Sequence, residues 1–470
     1  MDLFTPIVPE SKQHHNFSHI LRPIYHSPEI DVIQGWADDF KDRDGKFVKE
    51  FQTTFNSSFW ELYLFACFKE LGCKVDFSYE APDFVVNSDR GSFVAEATIA
   101  NAPDGFRPQW EGIITPETLD QVSINEIIRL ATLRLANAID AKYKKYQKSY
   151  SKLSHVQGKP FVICLAPFEQ PFFFVQTSQA LQRVLYTYEQ PLIISNPLDG
   201  SRRIVGESQR KRVQKKPETE ISLGLFTDSR MAEISAVIFS STATWGKVRA
   251  LAKESSVSTW FRAIRYMSDT TQANAIMTPK AEYRETLLDG LHLCLNPFAN
   301  IPLNYELFEN REIAIHDYDS HEHEYLVYPP NGFLIQRYCF SVRGVDNKVL
   351  QQVQTYAETL EQKVYSSLPN EVWREDELIS VGGQIQMFAE NYMAHYRGWT
   401  IIIALDTIDN DWMAQAIVGT HFSLPEYIEA NQKLDSTSDP ASSRIIASSS
   451  FSSEEEAFTA IKGEIDVLLL

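Results

Sequence analysis

Residues 57–99 read SSFWELYLFACFKELGCKVDFSYEAPDFVVNSDRGSFVAEATI, and they predict one helix followed by three short strands. The helix is expected over 57–71, with Gly72 as its C-cap, and the strands over 73–79, 82–88 and 92–100. Asn87-Ser88-Asp89-Arg90-Gly91 supplies the hairpin turn. Three acids stand where apolar patterning would not put them. Glu61 lies inside Phe59–Phe68, where nearly every other side chain is apolar. Asp83 follows Pro82 at the mouth of the apolar run Phe84–Val86. Glu96 interrupts Phe93–Ile99, and period-two alternation puts Val94, Glu96 and Thr98 on one face of that strand.

A buried carboxylate costs several kcal/mol unless something pairs with it. A helix packed across the hairpin of the second and third strands would bring all three acids together. Two carboxylates about 4 Å apart repel by about 4 kcal/mol at an effective dielectric of about 20. Such a cluster calls for a proton or a cation, and an oxygen-liking divalent ion, Mg2+ or Mn2+, meets the need. Taken singly, the residues have plainer readings. Asp83 suits a turn after proline, Glu96 a sheet edge facing water, and Glu61 a helix acid bonded to backbone or to an arginine.

Glu61 on a helix, then Pro82-Asp83, then Glu96-Ala97-Thr98 on the next strand is an order that resembles the PD-(D/E)xK nuclease superfamily. A long helix from Glu117 to about Tyr150, a buried strand PFVICLAP (160–167) and a helix over 178–188 follow, so the likeness covers roughly the first 190 residues. The resemblance implies an α/β fold with a restriction-endonuclease-like αβββαβ core. It also implies that Asp83 and Glu96 hold Mg2+ or Mn2+ with the backbone carbonyl of Ala97, and that Glu61 completes the shell. The implied activity is hydrolysis of phosphodiester bonds in DNA or, as second choice, RNA, in the setting of bacterial defence against foreign DNA.

One departure matters. The superfamily's lysine falls at Thr98, which supplies no positive charge. Lys142, one turn from Tyr146 on the same helix face, is the expected substitute, with Lys145 next in line. A solvated basic face accounts for the same lysines without any role. The rival from another class is a catalytically inactive nuclease-like scaffold or recognition subunit, which Thr98 favours.

The chain has 470 residues, 44% of them hydrophobic and 12% aromatic, enough to bury a large core in two or three domains. No apolar run approaches about 18 residues, so no membrane association is expected. Five cysteines at 67, 73, 164, 294 and 339 include no C-x-x-C pair and mostly sit among apolar residues. They read as buried thiols of a cytoplasmic protein. A net charge of −18 argues against broad, non-specific binding of nucleic acid over the whole surface, while leaving room for a local basic groove.

The expected organisation is a proline-broken lead-in over 1–56, the nuclease-like core over 57–195, a basic loop over 196–220, an extension of the core over 221–324, and a C-terminal α/β domain over 325–470. The basic loop carries Arg202, Arg203, Arg210, Lys211, Arg212, Lys215 and Lys216, either a mobile arm for phosphates or a solvated hairpin. TATWGKV (242–248) fails as a phosphate loop, because Ser241 and Val248 stand where glycine and Ser/Thr are needed. HDYDSHEHE (316–324) reads as an exposed polar loop linking domains. The C-terminal half shows no catalytic constellation. Its expected role is target choice, a partner protein or self-association. Helices are predicted there over 346–366 and across QIQMFAENYMAHY, with a mobile Ser-rich connection over 436–453.

Overall fold

A computed structural model describes residues 1–21, 23–102, 108, 124–188, 192–195, 202–208, 212–216, 219–253, 258–268, 274–309, 311–342, 373–374, 378–379, 391–396, 399–406, 411–418, 445–451 and 454–468. The chain divides into two units. One is Met1–Thr187 with Arg212–Val364, the other Tyr188–Lys211 with Tyr365–Leu470. Among the described residues no helix is long and apolar enough to cross a membrane.

The first unit is mixed α/β, built on one eight-stranded sheet whose spatial order is also its chain order. Its strands are β1 (Lys74–Val75), β2 (Phe84–Ser88), β3 (Gly91–Ile99), β4 (Phe161–Ala166), β5 (Ala236–Phe239), β6 (Leu291–Leu295), β7 (Ile313–Asp319) and β8 (Glu324–Tyr328). β1, β2 and β3 form an antiparallel meander, and β3, β4 and β5 run parallel. Every residue of β4 is buried. A central parallel strand covered on both faces has no polar side to show, so PFVICLAP reads as an unbroken apolar run.

Helix α1 (Phe55–Glu70) precedes β1 and helix α2 (Ile124–Lys148) lies between β3 and β4. Gly72, with φ +77°, follows α1, and the amide of Cys73 donates to the carbonyl of Phe68 at 2.9 Å to end it. α1 packs on one face of the sheet. Trp60 Nε1 donates to the carbonyl of Cys164 at 3.0 Å, and Phe68 meets Phe84 and Phe93 edge-on. α2 covers the other face, where Tyr146 stacks on Phe161 at 4.5 Å. Phe161, Ile163 and Leu165 alternate away from Val162, Cys164 and Ala166, which join the α1-side core.

Several segments differ from the sequence expectation. HDYDSHEHE is no linking loop: its first residues lie in β7, which pairs with β8, and His316 is buried. Residues 325–342 belong to the first unit, as β8 and as Leu334–Val342, which pairs with Ser258–Arg265. The basic stretch is not one loop either. It contains Arg202–Ser208 and Arg212–Lys216, strands of different units, whose ladders satisfy a backbone that the charged composition made look open.

In the second unit Asn391–Tyr396 is a strand where a helix was expected, because Tyr396 pairs directly with Trp399 and closes a hairpin. Trp399–Asp406 and Asp411–Val418 continue that sheet. The Ser-rich segment supplies a further strand, Ile445–Phe451, ahead of the helix Glu454–Leu468. The helix expected over 346–366 lies outside the described residues.

Candidate active site

Glu96 is the best-enclosed of the three acids. Its neighbours Ala95 and Phe93 join the α1-side core, so strand alternation turns Glu96 to the α2 side. There Lys142 and Lys145, three residues apart on α2, both donate to its Oε1 at 2.9 Å. Tyr150, in the turn after α2, donates to Oε2 at 2.9 Å. The Lys145 ammonium also lies 4.9 Å from the centre of the Tyr150 ring. Burial pushes the Glu96 carboxyl up, but the two ammonium groups outweigh it and hold the pKa below the ordinary value. Burial, followed by the Glu96 charge, pushes the Tyr150 phenol up, so it stays a donor.

Asp83 precedes β2, and its Oδ2 accepts the amide N–H of Ala97 at 2.7 Å. The ladder explains that bond. Phe84 pairs with Ala95, so two steps further Pro82 comes opposite Ala97. Proline has no N–H, so it cannot donate to the Ala97 carbonyl. In an antiparallel ladder both polar groups of one residue point to the same neighbour, which turns the Ala97 carbonyl to the Asp83 side. Burial and the Glu96 charge raise the pKa of Asp83 to about 6.

Glu61 lies on α1, its side chain 20% exposed, with Nη2 of Arg43 3.7 Å from Oε1. Burial, then the charge of Asp83, raise its pKa to about 8. Arg43 Nη1 donates to the carbonyls of Tyr79 at 2.9 Å, Glu80 at 3.3 Å and Pro82 at 3.4 Å. On the other side of this turn the His155 ring stacks on Tyr79 at 3.8 Å, and its Nε2–H donates to the carbonyl of Ala81 at 2.7 Å.

The acids therefore do not meet on one surface beneath α1. Glu61 approaches from the α1 side, Glu96 faces α2, and Asp83 sits at the strand end between them. Their charges still interact: Asp83 and Glu96 both raise Glu61, and Glu96 raises Asp83. Among the described residues no three His, Cys, Asp or Glu side chains are grouped to hold a metal. The donor chemistry nonetheless suits a hard cation, since Asp83 and Glu61 are oxygen donors whose ionisation is opposed first by burial and then by a neighbouring carboxylate, both of which a bound cation would offset.

The structure places Lys142 at Glu96, and Lys145 shares the position. Arg43, Tyr150 and His155 were missed. Arg43 is hidden in the charged stretch DDFKDRDGKFVKEF, and nothing in the local sequence marks the other two. Of the basic run, Arg202 and Arg203 lie on a strand of the second unit, and Arg212, Lys215 and Lys216 on a strand of the first. Arg210 and Lys211 lie outside the described residues. Comparison of the chain with protein-family models, with curated proteins and with solved structures found no match.

Proposed function

We propose that the protein is a metal-dependent nuclease that hydrolyses phosphodiester bonds of DNA, with RNA as second choice. The observation that carries this is the placement of two carboxyls of raised pKa, Asp83 and Glu61, beside Glu96 and the lysine pair on its oxygen. The order α1-β1-β2-β3-α2-β4 is that of a restriction-endonuclease-like core and supports the same reading.

Asp83, Glu96 and the carbonyl of Ala97 would hold Mg2+ or Mn2+, with Glu61 completing the shell directly or through water. A bound ion of this kind supplies a Lewis acid that lowers the pKa of its water and draws charge from phosphoryl oxygens. Lys142 orients the attacking water and donates to the phosphate oxygen on which negative charge grows. It takes over a task that Thr98, able only to hydrogen-bond, leaves open. Tyr150 and Lys145 keep Glu96 ionised and fixed. Arg43 ties Glu61 to the turn before Asp83. Target choice, or a partner, is assigned to the second unit, and a role against foreign DNA rests on the resemblance alone.

A specific observation favours a second reading, the inactive scaffold. Glu96 already has two ammonium groups and a phenol on its oxygens, so its charge is met without any ion. Incubating the protein with plasmid, single-stranded DNA and RNA, in Mn2+, Mg2+ or EDTA, separates the two. Cleavage that needs the metal and is lost in Asp83→Ala is expected. No cleavage of any substrate, together with no calorimetric metal binding, leaves the scaffold.

A further inference from the structure

Away from the acids, five aromatic side chains (Phe55, Phe59, Phe168, Phe173 and Trp245) line a cavity of about 320 Å3. Phe55 and Phe59 come from the start of α1, and Phe168 stands two residues beyond the end of β4. Trp245 opens a short helix that follows β5. The cavity thus lies past the carboxyl ends of two adjacent parallel strands, where open α/β sheets bind ligands. An aromatic-lined void of this size forfeits dispersion contacts that a well-packed core would make.

The polar side chains of its wall narrow the occupant. Asn16 donates to Oδ1 of Asn56 at 2.9 Å, and Asn56 donates to Glu169 at 2.7 Å. Neither bond uses the Oδ1 of Asn16 or the second Nδ2 hydrogen of Asn56, so a carboxamide acceptor and donor stand at the cavity. Among the described residues none of those lining it is Asp, Glu, Lys or Arg, and its one titratable side chain is His19, so little there would offset a charged group.

The segment carrying Phe168 and Phe173 is strained. Phe172 and Thr177, neither a glycine, have φ of 55° and 48°. The same segment buries Nε2 of Gln170 and Oε1 of Gln176 without a hydrogen-bond partner. This strained segment supplies two of the cavity's rings, Phe168 and Phe173.

We infer that this cavity binds an uncharged, planar, hydrogen-bonding heterocycle, a nucleoside held by its base. Stacking on aromatic rings with carboxamides at the base edge is how proteins hold bases that are not paired. Among the described residues the wall offers no lysine or arginine to a phosphate, which favours the nucleoside over the nucleotide. This site goes beyond the proposed nuclease activity and does not depend on it.

Calorimetric titration of the full chain with adenosine, guanosine, cytidine and uridine, and with each 5′-monophosphate, tests it. At least one nucleoside is expected to bind with Kd below about 1 mM, and its monophosphate about tenfold more weakly. Phe173→Ala should weaken that nucleoside at least about tenfold, with circular dichroism and Tm showing a folded protein. Should Phe173→Ala fail to fold, Asn16→Ala is read in its place with the same expectation. No binding of any nucleoside at millimolar concentration, a monophosphate that binds as well as its nucleoside, or wild-type affinity in a folded variant overturns the assignment.

Discussion

Lys142 and Glu96, 46 residues apart in sequence, meet at 2.9 Å between Nζ and Oε1 on the face of β3 turned to α2. Lys145 reaches the same oxygen but is half exposed, whereas Lys142 is 21% exposed. The more enclosed ammonium is the one whose charge is least screened. Lys142→Ala should therefore lower the single-turnover cleavage rate in Mn2+ about a hundredfold or more, and Lys145→Ala clearly less. Wild-type kinetics in Lys142→Ala would remove it from the site.

The Glu61 carboxyl makes a pH prediction. Raised from an ordinary 4.5 to about 8, it binds its proton more tightly in the fold than in the unfolded chain. Its favourable contribution is complete below about pH 4.5 and is lost as pH rises through about 8. Glu61→Gln cannot ionise. In EDTA the variant should melt above wild type near pH 8.5, with the gap closing toward pH 4.5. Mn2+ should shrink the gap at pH 8.5 by stabilising wild type, with its full set of carboxylates, more than the variant, which keeps only Asp83 and Glu96. Parallel melting curves at every pH would show that Glu61 is an ordinary surface acid.

Arg43 joins Glu61 to the turn that presents Asp83, through three backbone carbonyls. Arg43→Lys keeps the charge but cannot spread donors over those carbonyls from one planar group. It should lower affinity for Mn2+ several-fold in calorimetry while leaving Tm within a few degrees. Unchanged affinity would make Arg43 a surface ion pair only.

The element order was legible where an element carries a strong local signal: the apolar run of α1, the turn at Asn87–Gly91, and unbroken β4. The first strand, expected over 73–79, is only Lys74–Val75, and the expected start of the long helix, 117–123, lies outside the described residues. The acids were legible as violations of that pattern. What the sequence hid was the side of the sheet each would choose. Alternation places Glu96 with Val94, but only the packing of Phe93 and Ala95 against α1 decides which face that is. Arg43, Tyr150 and His155 were invisible for a related reason, since their partners are distant in the chain and their neighbours are commonplace. Over 316–324 the polar composition misled, because His316 satisfies its ring nitrogens inside the core with His292 and Tyr325.

That buried chain of rings has its own consequence. Burial pushes His292 down to about 3 and His316 well below its ordinary 6.5, so both are neutral in the fold. Their contribution is complete above about pH 6.5 and falls as pH drops toward 3, because the unfolded chain takes up the protons. Between pH 6 and pH 4.5 urea stability should decline by up to about 1.4 kcal/mol per pH unit for each histidine. His292→Gln should flatten this slope by about one histidine's share, although it lowers stability at pH 7. A slope unaltered in the variant would mean His292 is protonated as readily in the fold as outside it.

Lys247, from the segment that superficially suggests a phosphate loop, is instead locked in the core. Its Nζ lies 2.5 Å from Oε1 of Glu285 and donates to the carbonyl of Thr286 at 2.9 Å. Arg337 Nη1 reaches the same Glu285 oxygen, Nη2 donates to the carbonyl of Thr242 at 2.6 Å, and Tyr283 donates to Oε2 of Glu285 at 2.7 Å. The side chains of Lys247, Glu285 and Arg337 are at most 1% exposed. One carboxylate thus holds two cations that water cannot reach. Glu285→Ala strips both of their counter-charge and should destabilise the first unit by about 3–5 kcal/mol. Lys247→Met leaves Glu285 with Arg337 and Tyr283, so its loss should be smaller. Urea-unfolding midpoints for the two variants give the order. Equal midpoints would show that Lys247 and Arg337 find other partners and that Glu285 is not the hinge of the network.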